Sequence, residues 1–350
     1  MDLAAVATIA DMVPLTGANR ILVKEGLKEL NQTKRPGLKA LIREAGLENK
    51  EIGVYEVSHL LAPRLNAMGR LEHAMDSLRL VCTKDQNRAQ ELARLLNETN
   101  RERQDLTQDN LLHARANSRL RQGFGGQAKL IFIVDDSYNQ GVIGLVAGKL
   151  VEEFYRPAVV VAKGEEFSKA SCRSITGFNI IEAIRKASDL LVDCGGHPMA
   201  AGFTIATKNL EELQKKLEEI VEQELDDEKL IRVLKIDCEL KLDQLNMELN
   251  EELKQLTPFG LGNPEPVFCS RNVFIKDARI VGKDGRHLKF SIFNSQFSIP
   301  AVAFGLAEFL PKLTPDQPVD IAYTLTVNDW NNEKKLELKI KDIKLVIKND

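Results

Sequence analysis

Apolar residues recur at a spacing near 3.6 through the first third of the chain, which predicts helices over 2–13, 17–31, 36–46 and 54–62. Pro14, Gly17, Pro36 and Gly46 mark the breaks between them. From Thr83 to Asn117 there is neither glycine nor proline, and Glu, Arg, Gln, Leu and Asn dominate. That run predicts one long, mostly exposed helix, a rigid strut between domains. Residues 118–128 (SRLRQGFGGQA) interrupt it and read as a flexible loop, an inert linker in preference to a nucleic-acid contact.

At Lys129 the period changes. Strands are predicted at 130–135 and 157–162, helices at 141–154, 179–188 and 208–224, and a strand after GGHPMAAGF. This alternation indicates a small α/β domain. From about Lys229 the chain is strand-rich, with hairpins predicted at 277–293 around Asp284-Gly285 and at 321–346 around Asn331-Asn332. With a helix between them at 305–312, these strands suit a five-stranded barrel of the OB type. Leu256–Pro266 is a Pro/Gly-rich connector, expected to lock the barrel against the α/β domain. The predicted fold class is therefore α/β plus all-β. Its parts are a helical segment (1–82), a long connecting helix (83–118), an α/β domain (119–228) and a barrel (229–350).

A chain of 350 residues with 43% hydrophobic content suits two to three domains. Its net charge of −3 means that any nucleic-acid surface must be a local groove or patch. Cys82, Cys172, Cys194, Cys238 and Cys269 form no CxxC pair, which argues against a zinc site or disulfide framework and fits a reducing cytoplasm. No signal-peptide pattern and no apolar run of spanning length occurs, so no membrane contact is expected.

Two motifs carry candidate chemistry. In Gly195-Gly196-His197, paired glycines let backbone approach an anion, and the histidine adds a donor. The alternative is a Gly-Gly turn leading into a buried strand. About twenty residues upstream, Ser171-Cys172-Arg173-Ser174 favours the phosphate reading, because arginine forks onto two oxygens and the hydroxyls add donors. Gly141 and Gly144 flank a strand-to-helix turn, suited to an anion at a helix N-terminus or to tight packing alone.

The segments DLAAVATIADMVPL with Asn19-Arg20, PRLNAMGR (63–70), QGVIGLVAGKL (140–150), SCRS with GGHPMAAGF, and PFGLGNPEPVF (258–268) with NDWNN follow one another in order. Together they resemble the RecJ-type single-strand exonucleases of the DHH phosphoesterase superfamily, along nearly the whole chain. The resemblance implies a remnant of a DHH domain, a DHH-associated α/β domain and a RecJ-type OB barrel. It implies 5′→3′ hydrolysis of single-stranded DNA in repair and recombination, with two Mn²⁺ or Mg²⁺ ions activating water. Single-stranded DNA is the expected partner, with a single-strand-binding protein or a helicase as further partners.

Of the family's motifs, the first three are missing, and the chain is expected to be incomplete. Asp11 matches the metal-ligating aspartate of the fourth motif, with Asp2 the lesser candidate. At a helix C-terminus a carboxylate is opposed by the dipole, and a cation would offset this. The alternative is an exposed aspartate in a turn. Arg64, Asn66 and Arg70 are implied to hold phosphates beside the metals, the alternative being ion pairs with neighbouring acids. Arg173, Ser171, Ser174, Gly195, Gly196 and His197 are implied to grip backbone phosphates. His287 is read as part of a nucleic-acid groove on the barrel, and Trp330 and Phe290 as either base-stacking or core residues. Two other functions stay open: a single-strand binder that does not cut, and a phosphodiesterase of short oligonucleotides. The missing motifs predict that this chain alone has little or no nuclease activity. Robust manganese-dependent degradation of a 5′-labelled single strand by the purified chain would contradict that.

Overall fold

A computed structural model describes residues 1–116, 128–314, 316–330 and 333–346. The Gly-rich run up to Gln127, the Asn331-Asn332 turn and the side chain of Trp330 lie outside the described residues. In chain order the helices begin with α1 (Asp2–Ala10), α2 (Gly17–Asn31) and α3 (Pro36–Glu44). A single turn and a π-helical segment (Val57–Leu61) lead into α4 (Ala62–Leu71), followed by α5 (Met75–Cys82) and α6 (Gln86–Ala116). Then come β1 (Ile131–Asp135), α7 (Ile143–Phe154), β2 (Ala158–Ala162), β3 (Phe167–Arg173) and α8 (Ile180–Arg185). They are followed by β4 (Leu191–His197), β5 (Ala200–Ala206) and α9 (Leu210–Glu224). The last elements are β6 (Cys238–Glu239), α10 (Met247–Lys254), β7 (Phe268–Val281), β8 (His287–Phe293), β9 (Ser298–Ala303), β10 (Val319–Trp330) and β11 (Glu333–Leu345). The predicted 305–312 helix is a 3₁₀ segment, Ala307–Lys312, because Pro311 cannot support longer α-helical bonding.

Contacts divide the chain into two compact units. One comprises Met1–Gln32, Ile52–Val54 and Leu234–Asp350; the other comprises Thr33–Glu51 and Tyr55–Val233. In the second unit, α6 is 31 residues long, about 46 Å at helical rise. It is not the bare strut that its composition suggests. Ala89, Leu92, Ala93 and Leu96 bury one stripe against α3, α4 and α5, and Leu111 and Ala114 bury the same face against α7. Between these apolar ends the buried positions are polar: Asn97, Thr99, Asn100, Thr107 and Asn110. The π turn precedes Pro63, which has no N–H to return to the carbonyl of His59.

The α/β sheet has the order β1-β2-β3-β5-β4, with β1 and β2 parallel and the other pairs antiparallel. Its period-two alternation splits two cores. Ile131, Ile133, Ala158 and Val160 face α7 and α6; Phe132, Val159, Val161, Cys172, Phe203 and Ile205 lie in the core that α8 and α9 complete.

In the first unit, five strands close on themselves in the order β7-β8-β9-β11-β10, with β10 returning to β7. The parallel pairing of β9 with β11 and the helical turn before β10 give the OB topology. Tyr323 is fully buried in the barrel, its hydroxyl paired with Ser270 Oγ at 2.9 Å, and burial pushes its pKa up to about 12. The Pro/Gly connector was expected to lock the barrel against the α/β domain. Within its own unit the connector is held to the turn after α1, where Leu15 N donates to Leu261 O at 2.6 Å. Arg20 adds bonds to the carbonyls of Gln255 (2.9 Å) and Thr257 (3.3 Å).

Helix α3 approaches α5 closely only because Gly37 has no side chain. A Cβ there would lie 1.8 Å from the Leu80 carbonyl oxygen, a backbone atom that cannot step aside. Gly37→Ala is expected to destabilise this unit by about 1–3 kcal/mol, as overpacking does, read as a lowered denaturation midpoint in urea.

Candidate nucleic-acid interface

Strand β3 presents Ser171 and Arg173 on one face and sends Cys172 into the opposite core, where burial pushes the thiol pKa up. The register then decides what lies beside them. Arg173 pairs with Ala200, which pairs with His197; Ser171 pairs with Gly202, which pairs with Gly195. The SCRS and GGH motifs therefore share one face of the sheet, separated by two of its smallest residues. Gly195-Gly196-His197 is not a loop but the end of the edge strand β4, which is largely exposed. A Cβ on Gly195 would meet nothing within 4 Å, so the face there is an open shelf.

One wall of the shelf is the start of α7. A Cβ on Gly144 would lie 2.8 Å from Ser171 Oγ and 3.0 Å from Arg173 Nη2. The absent side chain is what lets the Arg173 head lie against the first turn of this helix. That turn has no side-chain cap and its dipole favours an anion, although the N–H groups of Val142, Ile143 and Leu145 already donate to the carbonyls of Asn139 and Val142. Arg173 Nη1 donates to Ser171 Oγ (3.2 Å) and to the Cys172 carbonyl (2.8 Å), which fixes the guanidinium. Helix α4 closes in from the other side. Gly141 backs onto the Arg70 carbonyl, 2.1 Å from where its Cβ would be, and Arg70 Nη1 reaches Gly141 O at 3.4 Å.

The electrostatics are one-sided. Among the described residues, no carboxylate forms an ion pair with Arg64, Arg70 or Arg173. Burial lowers the pKa of Arg173, partly offset by the Cys172 sulfur, and the Arg70 charge lowers it further. Burial also lowers the pKa of Arg70. A partly desolvated guanidinium without a counter-charge is unfavourable, and a bound anion would relieve it.

Other candidates fall in different places. Arg64 is half-buried and already engaged: Nε donates to Asn97 Oδ1 (3.0 Å) and Nη1 to the Leu60 carbonyl (2.6 Å). The acid pairs offered as its alternative role are replaced by neutral acceptors. Asn66 is exposed on α4. The Ser174 hydroxyl is buried and donates to the Phe178 carbonyl at 2.7 Å, so it is committed to the turn before α8. Asp11 belongs to the other unit, exposed at the C-terminus of α1 with its N–H on Ala7 O. No group of three or more His, Cys, Asp or Glu among the described residues could hold a metal ion. A hard divalent ion needs several oxygen ligands, so Asp11 by itself does not fit a two-metal centre.

The sequence missed two residues. Arg103 lies on the inward face of α6; its spacing from Asn100 and Thr107 is the signal that could have found it. On the barrel, Phe304 is 58% exposed, its ring edge-on to His287 at 5.2 Å. His287 Nδ1 accepts from Gly305 N at 3.1 Å, so this histidine holds an aromatic at the mouth of the barrel. Phe290, by contrast, is core at 3% exposure, because β8 alternates and its even-numbered positions point inward.

The DHHA1 domain family matches residues 125–223, and the RecJ OB domain family matches 236–342. The single-stranded-DNA-specific exonuclease RecJ of Bacillus subtilis is 38% identical over 98% of this chain and 43% of the relative. That of Thermus thermophilus is 34% identical over 98% of this chain and 48% of the relative. The chain is a homologue of RecJ. The crystal structure of Thermus thermophilus RecJ with Mg²⁺ matches with a TM-score of 0.85 and 33% identity over 98% of this chain and 52% of that one. A structure of the same protein with Mn²⁺ matches with a TM-score of 0.85. The chain spans about half the length of the curated RecJ relatives it matches. The likeness to RecJ covers both matched domains and the helices before them.

Gly144→Ala is expected to weaken phosphate binding about tenfold by displacing the Arg173 head. The helix itself gains up to about 1 kcal/mol from the alanine. Anisotropy with a 5′-phosphorylated oligothymidylate, alongside a thermal melt, reads the two effects separately; unchanged affinity would show that the Arg173 position does not matter.

Proposed function

We propose that this chain is the strand-holding part of a metal-dependent 5′→3′ exonuclease specific for single-stranded DNA, acting in repair and recombination. The observation that carries the reading is the open face formed by Ser171, Arg173, Gly195 and His197 beside the α7 N-terminus and Arg70, without a paired carboxylate among the described residues. Arg173 and Ser171 bind a backbone phosphate, His197 and the Gly195-Gly196 backbone bind across the shelf, and Arg70 adds charge. The narrow gap at Gly144 orients Arg173. The OB barrel supplies a second grip through the exposed Phe304 ring, on which a base can stack, and through Lys283 of the hairpin, where Arg286 and Lys289 are ion-paired to Asp284 and Glu337.

In such an enzyme Mn²⁺ or Mg²⁺ supplies the activated water. The described residues do not themselves compose that centre, and this chain's own contribution is to bind and orient the strand. Asp11 is proposed as one oxygen ligand among several. A second reading, a single-strand binder that does not cut, is favoured by the same lack of a three-ligand group among the described residues.

One assay tests both: binding and 5′ degradation of labelled single-stranded DNA with Mn²⁺ and with EDTA. Salt-sensitive binding is expected in each. Arg173→Ala is expected to weaken it about tenfold, the scale of a charge-assisted hydrogen bond, and to weaken it more than Arg119→Ala does. Equal effects would move the interface to the Gly-rich loop.

A further inference from the structure

Tyr138 lies in the loop that leads from β1 into α7. Its ring is 4% exposed and belongs to one buried cluster with Leu111 and Ala114 of α6 and Ile143, Val146 and Ala147 of α7. A buried phenol needs a partner for its hydroxyl. That partner is His113 of α6, whose Nδ1 lies 3.0 Å from the Tyr138 oxygen, with the two rings edge to face at 5.6 Å. On its other side the imidazole turns Nε2 towards Asp135 Oδ2, 3.7 Å away at the end of β1. Asp135 is itself held by the hydroxyl and the N–H of Ser137. Burial pushes the Tyr138 pKa up to about 12, and the Asp135 charge acts in the same direction, so the phenol keeps its proton. With a carboxylate facing Nε2, the neutral imidazole carries its proton there, and Nδ1 accepts from the phenol.

The residues after Tyr138 build the start of α7. Asn139 Oδ1 accepts from Gly141 N at 2.7 Å, and the Asn139 carbonyl accepts from Val142 N at 3.1 Å and Ile143 N at 3.2 Å. Gly141 backs onto the Arg70 carbonyl, and Gly144 lies against Ser171 Oγ and the Arg173 head. Both approaches are too close for a Cβ, so a small movement of this turn alters both at once. We propose that His113 is a positioning residue of the phosphate site: by holding the Tyr138 hydroxyl it fixes the turn from which α7 starts, and with it the place of that helix end against Arg173 and Arg70. The proposal rests on the nucleic-acid reading above and adds to that site a residue of the long helix that acts through Tyr138 and not on the strand. The His113 side chain is 57% exposed, so replacing it leaves the surrounding core intact.

The test compares the full chain with His113→Ala, His113→Asn, Tyr138→Phe and the double variant His113→Ala/Tyr138→Phe. Two quantities are read at matched melting temperature: affinity for a 5′-phosphorylated oligothymidylate, and hydrogen-exchange rates of the Gly141–Gly144 amides. His113→Ala is expected to weaken binding about fivefold and to speed exchange by a similar factor, the scale of one neutral hydrogen bond. In His113→Asn the side-chain oxygen stands where Nδ1 does, and this variant is expected to restore both quantities to within about twofold. Tyr138→Phe is expected to reproduce the loss, and the double variant to lose no more than either single one, as coupled residues do. Unchanged affinity and exchange in His113→Ala overturn the proposal. So does His113→Asn behaving like His113→Ala, or a double variant whose losses add. Failure of the unaltered chain to bind any oligonucleotide overturns the nucleic-acid reading; unchanged exchange in His113→Ala, with binding by the unaltered chain intact, overturns the positioning role alone.

Discussion

The antiparallel register of β3, β5 and β4 is the constraint on which the candidate site depends. Side chains in a strand alternate between faces, so directly paired residues share a face. Arg173, Ala200 and His197 form one row, and Ser171, Gly202 and Gly195 the next. A slip of one residue would send Arg173 into the core occupied by Cys172 and bring Phe203 out to solvent. The buried partners of the opposite face, Ala170, Cys172, Ala201, Phe203 and Ile205, forbid that slip. The hydrophobic core thus sets which polar side chains share the open face.

Small residues do the shaping. Gly144 and Gly141 let α7 lie against Arg173 and α4, and Ala200 and Gly202 leave the floor of the shelf low. The cost is an unbalanced cluster. Guanidiniums lowered in pKa by burial, with no carboxylate ion-paired to them among the described residues, are poor for stability and good for recognising an anion. Such a cluster is sustained because apolar packing around it is extensive on both sheet faces.

In the barrel unit, β10 closes onto β7, and the interior is filled by Tyr323, Phe268, Phe290 and aliphatic side chains. Aromatics left outside this interior stand out. Phe304 follows β9, where Gly305 at φ +74° turns the chain and presents its N–H to His287. The turn and the histidine together keep a large apolar ring in water, at the end of the barrel beside the basic hairpin.

Much of the architecture was legible from local pattern. The change from a 3.6 to a 2.0 period at Lys129, the Asp284-Gly285 turn and the alternating last hundred residues specify α/β and barrel elements by steric rules that act within a few residues. The residue types of the phosphate-binding candidates were legible too, because Arg, Ser and His carry donors and paired Gly lets backbone approach an anion. What sequence distance conceals is which of them meet. That Ser174 turns inward to the Phe178 carbonyl, that Arg64 is taken by Asn97, and that Phe290 lies inside while Phe304 lies outside follow from packing between distant segments. Arg103 looks like any charged residue on a polar helix until α4 packs alongside that helix and the residue becomes partly buried. The sequence by itself determined the elements, their order and their chemical groups, since those depend on each residue and its near neighbours. Only the tertiary structure decided the site, because burial, register and uncompensated charge are properties of contacts between segments far apart in the chain.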